Sequence, residues 1–259
     1  MTLPNRGKLL SEIVDLADLA GAEIMKIFHG DMQVRQKADS SPVTAADEVA
    51  EEIILAGLRK LTPDIPIVAE EETAAGKIVE VGDQPFWLVD PLDGTKEFVA
   101  HRDEFTVNIA LVENLSPTMG VVLAPAQDIS YWADGPETAI KRIGKQTPQS
   151  ITARRIPDRN VIATASRSHG DKDKMQALLK DYTLGDVVVS GSSIKFCIVA
   201  SGGADIYPRY GPTCEWDIAA GHAVLNAAGG SVCTLDGDEM RYGKPKFLNP
   251  EFIAYGNRG

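Results

Sequence analysis

Residues 87–98 read WLVDPLDGTKEF. An apolar run breaks off in Asp90-Pro91-Leu92-Asp93-Gly94-Thr95, so a buried strand delivers two carboxylates, Asp90 and Asp93, into a turn stiffened by Pro91 and Gly94. Burying like charges together is costly unless a cation neutralises them. Oxygen donors with no His or Cys close by in sequence point to a hard divalent ion, Mg2+ or Mn2+, rather than zinc. The plain alternative is a β-turn, since Asp, Pro and Gly are all common turn formers.

Working outward, β-rich runs lie on both sides of this stretch: Ile65–Ala69, Phe86–Val89, Phe105–Val112, Met119–Leu123 and Ile129–Ala133. Two amphipathic helices precede them. The first, over 9–28, lines up Leu9, Ile13, Leu16, Ala20, Ile24 and Ile27 and stops at Gly30. The second, from about Thr44 to Leu61, lines up Val49, Ile53, Gly57/Leu58 and Leu61 and closes at Pro63. Together they predict a mostly antiparallel sheet covered by two N-terminal helices. From about Asn160 the rhythm changes. Short strands (Val161–Ala165, Val187–Val189, Ala204–Tyr207, Ser231–Cys233, Phe252–Tyr255) alternate with helical stretches near 172–181, 193–201 and 216–228, which predicts an α/β half. The linker-like segment 144–160 places the boundary near 155, giving an N-terminal half over 1–155 and a C-terminal half over 156–259.

Composition narrows the function classes. With 26 Lys+Arg against 37 Asp+Glu in 259 residues, a net charge of −11 argues against non-specific nucleic-acid binding, which needs cations to displace counterions. The longest apolar runs fall short of the ~20 residues that span a bilayer, and the N-terminus lacks a signal-peptide pattern. A cytoplasmic location is therefore expected. Cys197, Cys214 and Cys233 are far apart in sequence and are expected to be reduced, buried and inert.

Two further acidic features accompany 87–98. Glu70-Glu71-Glu72 follows the Ile65–Ala69 run and reads either as a ligand source or as a solvated charge run. Asp217 opens a helical pattern and reads either as a ligand or as an acid at a helix N-terminus, favoured there by the macrodipole. Thr44-Ala45-Ala46-Asp47 has the form of a capping box. His222 lies on an Ala/Gly-rich helix and is expected to be packed.

AEEE at 69–72, WLVDPLDGTKEF at 87–98, SRSH at 166–169, GSSIKF at 191–196, YPRYGPT at 207–213 and EWDIAAGHAV at 215–224 together resemble the inositol monophosphatase superfamily of metal-dependent, lithium-sensitive phosphatases. The resemblance runs from the first helix to FLNPEF at 247–252. Lys96-Glu97, GSSIKF and YPRYGPT direct it to the bacterial 3'(2'),5'-bisphosphate nucleotidase branch. Ile218 departs from that branch, where a small polar residue is common after the aspartate. The resemblance implies a layered αβαβα sandwich. It also implies one Mg2+ held by Glu70, Asp90 and the carbonyl of Leu92, and a second held by Asp90, Asp93 and Asp217. A third ion is compatible with the family, and Mn2+ is a substitute.

The same resemblance implies that Glu70 and Thr95 orient the attacking water, with Asp47 supporting Thr95. The expected substrate is a small-molecule nucleotide bisphosphate. The expected contacts are Gly94 and Thr95 in the turn, Ser166 and His169 toward sugar or base, Gly191-Ser192-Ser193 as an anion or ribose site, and Lys195 and Arg209 at the second phosphate; Asp217 also borders the substrate. Lys37 neutralises phosphate or a ligand carboxylate, or is a solvated lysine. An inositol- or sugar-phosphate phosphatase is the nearest alternative. A non-catalytic partner-binding protein on the same fold is the other, disfavoured because all four ligand side chains are present. The oligomeric state is left open.

Overall fold

The computed structural model describes residues 5–30, 32, 34–36, 42–166 and 182–259. The first layer is helical. α1 (Arg6–Phe28) is capped by the Asn5 side chain, which accepts from the Lys8 N–H, and it ends at Gly30, whose N–H bonds to the Ile27 carbonyl. A hairpin of β1 (Arg35–Gln36) and β2 (Pro42–Val43) leads to α2 (Ala45–Leu61). α1 turns Leu9, Ile13, Ala20 and Ile24 inward, as its spacing predicts, and Leu16 and Ile27 pack at the margin. The inner face of α2 is displaced by about one position from the expected stripe: Val49 is exposed, and Ala46, Asp47, Ala50, Glu51, Ile54 and Leu58 are buried. Two acids on the inward face broke the apolar pattern that the periodicity follows.

Beneath these helices lies a seven-stranded sheet in the order β3-β4-β5-β6-β7-β8-β9. Its members are β3 (Ile67–Ala69), β4 (Phe86–Asp93), β5 (Thr106–Glu113), β6 (Ser116–Ala124), β7 (Ile129–Asp134), β8 (Ile140–Ile143) and β9 (Gln149–Ser150). Every neighbouring pair is antiparallel except β3 with β4. Two five-residue helices, α3 (Glu70–Ala74) and α4 (Thr95–Val99), leave the ends of β3 and β4 directly.

The second sheet has the order β11-β10-β12-β14-β13, built from β10 (Arg159–Ala165), β11 (Thr183–Val189), β12 (Ile206–Arg209), β13 (Ser231–Thr234) and β14 (Phe252–Tyr255). β10 runs parallel to both β11 and β12, and β14 runs antiparallel to β12 and β13. Between the sheets lie α5 (Ile194–Ala200) and α6 (Glu215–Ala227), in one apolar cluster that joins Phe86 and Val122 of the first sheet to Phe196, Trp216 and Phe252. α6 presses on the first sheet at Gly120, where a Cβ would lie 2.6 Å from the Ala220 carbonyl oxygen; only glycine allows that approach. The layers are thus helices, mostly antiparallel sheet, helices and mixed sheet. The helix expected near 172–181, which would supply the last layer, lies outside the described residues.

Candidate metal-dependent active site

The strand ends assemble the site. Because β3 and β4 run parallel with Ala69 opposite Val89, their C-terminal ends coincide, and Glu70 emerges beside Asp90. Pro91 has no N–H to continue the ladder to β5, and the register slips: Asp90 faces Asn108 while Asp93 faces Thr106. The bulge bends the strand end and re-aims Asp93. Gly94 follows at φ 95° with its Cβ direction 3.0 Å from the Glu104 carbonyl oxygen, a left-handed, crowded position that favours glycine. Thr95 then opens α4. From the second half of the chain, α6 brings Asp217 to the same point.

Ligand atoms of Glu70, Asp90 and Asp217 lie within 4.8 Å of one another, the set of oxygen donors that could hold a metal among the described residues. Asp90 is buried. Burial pushes its carboxyl well above the usual range, and the charges of Glu70, Asp93 and Asp217 push it further. Asp217 is raised in the same way by burial, then by Asp93 and Glu70, with the Cys214 N–H and Arg209 opposing. Two buried carboxyls, Asp90 and Asp217, raised by burial and by their acidic neighbours mark a site short of positive charge. An oxygen-only donor set of this kind suits Mg2+ or Mn2+, so the residues fit the ions the resemblance implies.

Asp93 stands apart from the expected ligand set. It lies outside the trio, with one oxygen 2.7 Å from the Ser193 N–H it accepts from. Burial raises its carboxyl, while Lys195, Ser192 and the Ser193 N–H pull the other way. The Leu92 carbonyl oxygen accepts from the Thr95 hydroxyl at 3.2 Å.

The helix-capping contacts of Asp47 and Asp217 are present, and each residue also stands where its other reading would need it. Asp47 Oδ2 accepts from the Thr44 N–H at 2.8 Å and closes the capping box, and Oδ1 lies 3.2 Å from the Thr95 hydroxyl that donates to it. Asp217 Oδ2 accepts from the Cys214 N–H at 2.8 Å at the start of α6 while the residue belongs to the acid trio. A carboxylate has acceptor sites enough for a helix cap and a second task.

The Gly191-Ser192-Ser193 expectation needs correction in its details. The Gly191 N–H donates to Glu104 Oε2 at 3.1 Å and the Ser193 N–H to Asp93, so these amides face carboxylates. The two hydroxyls turn to β5, Ser192 to Thr106 at 2.5 Å and Ser193 to Asn108 at 2.6 Å. The segment ties the second half of the chain to the first. Lys195 is likewise turned inward: it is buried, donates to the carbonyls of Ser190 and Ser192, and lies 5.1 Å over the Tyr207 ring. Burial lowers its ammonium to about 8 against the pull of Asp93.

A cleft of about 530 Å3 opens on the trio and is lined also by Gly94, Thr95, Ser166, Arg209 and Ile218. Arg209 Nη1 donates to Ser166 Oγ at 3.3 Å and Nη2 to the Pro212 carbonyl at 3.4 Å, while Nε is buried with no hydrogen-bond partner. His169 and Lys37 lie outside the described residues. His222 is buried against the Tyr242 hydroxyl at 2.7 Å, and burial drives its pKa down to about 3. Cys197 and Cys233 are buried as expected, whereas Cys214 is half-buried because it heads α6 at the cleft wall. No helix of the described residues is long and apolar enough to cross a membrane.

Glu51 had no sequence signal beyond its place one turn after Asp47. Its carboxylate accepts from the N–H groups of Glu71 and Glu72, both at 2.8 Å, at the first turn of α3. Burial raises its carboxyl to about 6; the two amides oppose this, and the charges of Glu72 and Glu70 add to it.

The model of the inositol monophosphatase family matches residues 6–257. The 3'(2'),5'-bisphosphate nucleotidase CysQ of Salmonella typhimurium is 43% identical over 247 residues, covering 94% of this chain and 98% of that protein. The protein of the same name from Escherichia coli is 44% identical over 251 residues with the same coverage. The crystal structure of CysQ from Bacteroides thetaiotaomicron, a bacterial member of that family, matches with a TM-score of 0.83 at 38% identity, covering 97% of this chain and 98% of the other. The inositol monophosphatase from Anabaena matches with a TM-score of 0.77 at 25% identity, over 98% and 93% of the two chains. Layer order, acid trio and near-full-length similarity agree: the chain belongs to the inositol monophosphatase family.

Proposed function

We propose that the protein is a Mg2+-dependent phosphatase that hydrolyses adenosine 3',5'-bisphosphate to AMP and phosphate, with the 5'-phosphosulfate analogue as a further substrate and a cytoplasmic role in sulfur assimilation. The observation that carries the proposal is the Glu70–Asp90–Asp217 trio at the floor of the cleft. Its support on the substrate side is the similarity to proteins named as bisphosphate nucleotidases.

Glu70, Asp90, the Leu92 carbonyl, Asp93 and Asp217 are the groups that would hold two ions, with Asp93 turning from Ser193 to do so. When bound, the ions supply positive charge for the phosphoryl oxygens and for the leaving group and acidify water. Glu70 accepts the proton of the attacking water, and the Thr95 hydroxyl, anchored by Asp47 Oδ1, holds that water in line with the scissile bond. Arg209, with unsatisfied donor capacity at the cleft wall, reads the second phosphate. Lys195 braces the 190–192 loop instead of reaching that phosphate.

The test is phosphate release from adenosine 3',5'-bisphosphate and inositol 1-phosphate, side by side, with Mg2+ and with chelator. The expected result is chelator-sensitive preference for the bisphosphate. Preference for the inositol phosphate keeps the metal site and overturns the role of Arg209; no release from either overturns the enzyme reading.

A further inference from the structure

α2 presents two buried carboxylates one turn apart, Asp47 and Glu51, 1% and 5% exposed. Residues four apart on a helix share a face. Asp47 holds the Thr95 hydroxyl at the start of α4, and Glu51 holds two backbone amides at the start of α3. Those amides belong to the first turn of a five-residue helix, where N–H groups have no partner within the helix. Glu70 opens that helix and is joined through one peptide unit to the Glu71 nitrogen that Glu51 grips. A helix of this length has too few hydrogen bonds of its own to set its direction.

We infer that Glu51 is a positioning residue: by clamping the Glu71 and Glu72 amides, it sets where Glu70 stands relative to Asp90 and to Thr95, and α2 is the ruler that spaces the two ends of the site. The inference rests on the proposed role of Glu70 at the metal site. An acid is a costly choice for a structural cap here, because it is buried and faces the like charges of Glu70 and Glu72. What it supplies is a pair of acceptor oxygens aimed at two successive amides. Glutamine has one acceptor oxygen and would turn an amino group toward one of those N–H donors. The buried face of α2 deviates from its apolar stripe at these two acids, and each of them ends on an element that carries a site residue.

The experiment compares wild type, Glu51→Gln and Asp205→Asn. Asp205 is the control, a buried acid immediately before β12 that pairs with Arg154 and accepts from the Ile162 N–H at 2.7 Å. Mg2+ affinity is measured by calorimetry and by the Mg2+-induced rise in Tm, and kcat and KM are taken at saturating Mg2+. Glu51→Gln is expected to melt with wild type in chelator, to lose roughly 10-fold or more in Mg2+ affinity, and to lose kcat at constant KM. Asp205→Asn is expected to lower Tm at unchanged Mg2+ affinity. Unchanged Mg2+ affinity and kcat in Glu51→Gln overturn the inference, as does a variant that fails to fold or loses as much Tm in chelator as Asp205→Asn. Wild type that binds no Mg2+ overturns the metal site itself, a result distinct from either.

Discussion

Replacing Asp90 by Asn removes one charge from the middle of the acid cluster and keeps an oxygen for the Leu92 N–H that Asp90 now receives at 3.0 Å. At the 4.8 Å limit separating the trio's ligand atoms, and with an effective dielectric of about 20, one like-charge pair costs about 332/(20 × 4.8), or ~3.5 kcal/mol. Wild type avoids part of this by holding a proton, so the gain for Asp90→Asn in chelator at pH 8 is on the order of one pair, about 3 kcal/mol. That is a large share of a stability of roughly 5–15 kcal/mol. The sign follows from linkage: Asp90 is raised in the folded state, so the wild-type metal-free protein is most stable when the group is protonated and loses stability as pH rises through the raised value. Urea unfolding in chelator from pH 4 to 8 should show the variant pulling ahead with rising pH and the two curves meeting near pH 4. Mg2+ at about 1,000 times Kd should reverse the order at pH 8, since only wild type gains binding energy, ~4.1 kcal/mol. Turnover should be lost in the variant. A variant less stable than wild type in chelator, or a difference that ignores pH, would refute the reasoning that these acids form a cation site.

Arg209→Ala should raise KM for adenosine 3',5'-bisphosphate far more than for a substrate lacking the second phosphate; equal effects would remove Arg209 from the recognition of that phosphate. Thr95→Val should lower kcat by about 10^2 with little change in Mg2+ affinity, since the hydroxyl bonded to Asp47 and Leu92 is removed while the carboxylates stay; a loss confined to KM would count against its place at the water. Gly94→Ala puts a Cβ 3.0 Å from the Glu104 carbonyl at φ 95° and should cost about 1–3 kcal/mol in urea unfolding together with activity. His222 is held neutral by burial with its pKa near 3, so its contribution is present above its unfolded value and is lost as pH falls toward 3. His222→Phe should flatten acid unfolding below pH 6, and an unchanged acid limb would show that another group controls it.

Much of the fold was legible because period and composition agree along most of the chain. The alternating and continuous apolar runs of 65–133 became the antiparallel sheet, and α1 showed its buried stripe in advance. α2 did not, because Asp47 and Glu51 occupy its inward face for the sake of Thr95 and α3, and a rule that counts apolar residues rotates such a helix the wrong way. The candidate site residues were nameable from motifs, but their partners were not. Ser192, Ser193 and Lys195 have the chemistry of an anion site, and only their contacts with Thr106, Asn108 and two loop carbonyls show them bracing the chain.

By itself the sequence determined which side chains are available: a strand that ends in DPLDGT, three glutamates after another strand, an aspartate at a helix start, and an overall charge that argues against non-specific nucleic-acid binding. Tertiary structure decided which of them meet. Glu70 stands beside Asp90 because β3 pairs parallel with β4 in one register, and Asp217 reaches them because Gly120 lets α6 lie close against the first sheet. The physical reason is range: strand and helix periods are set by residues a few positions apart, whereas like charges accumulate at one point only through packing between distant segments.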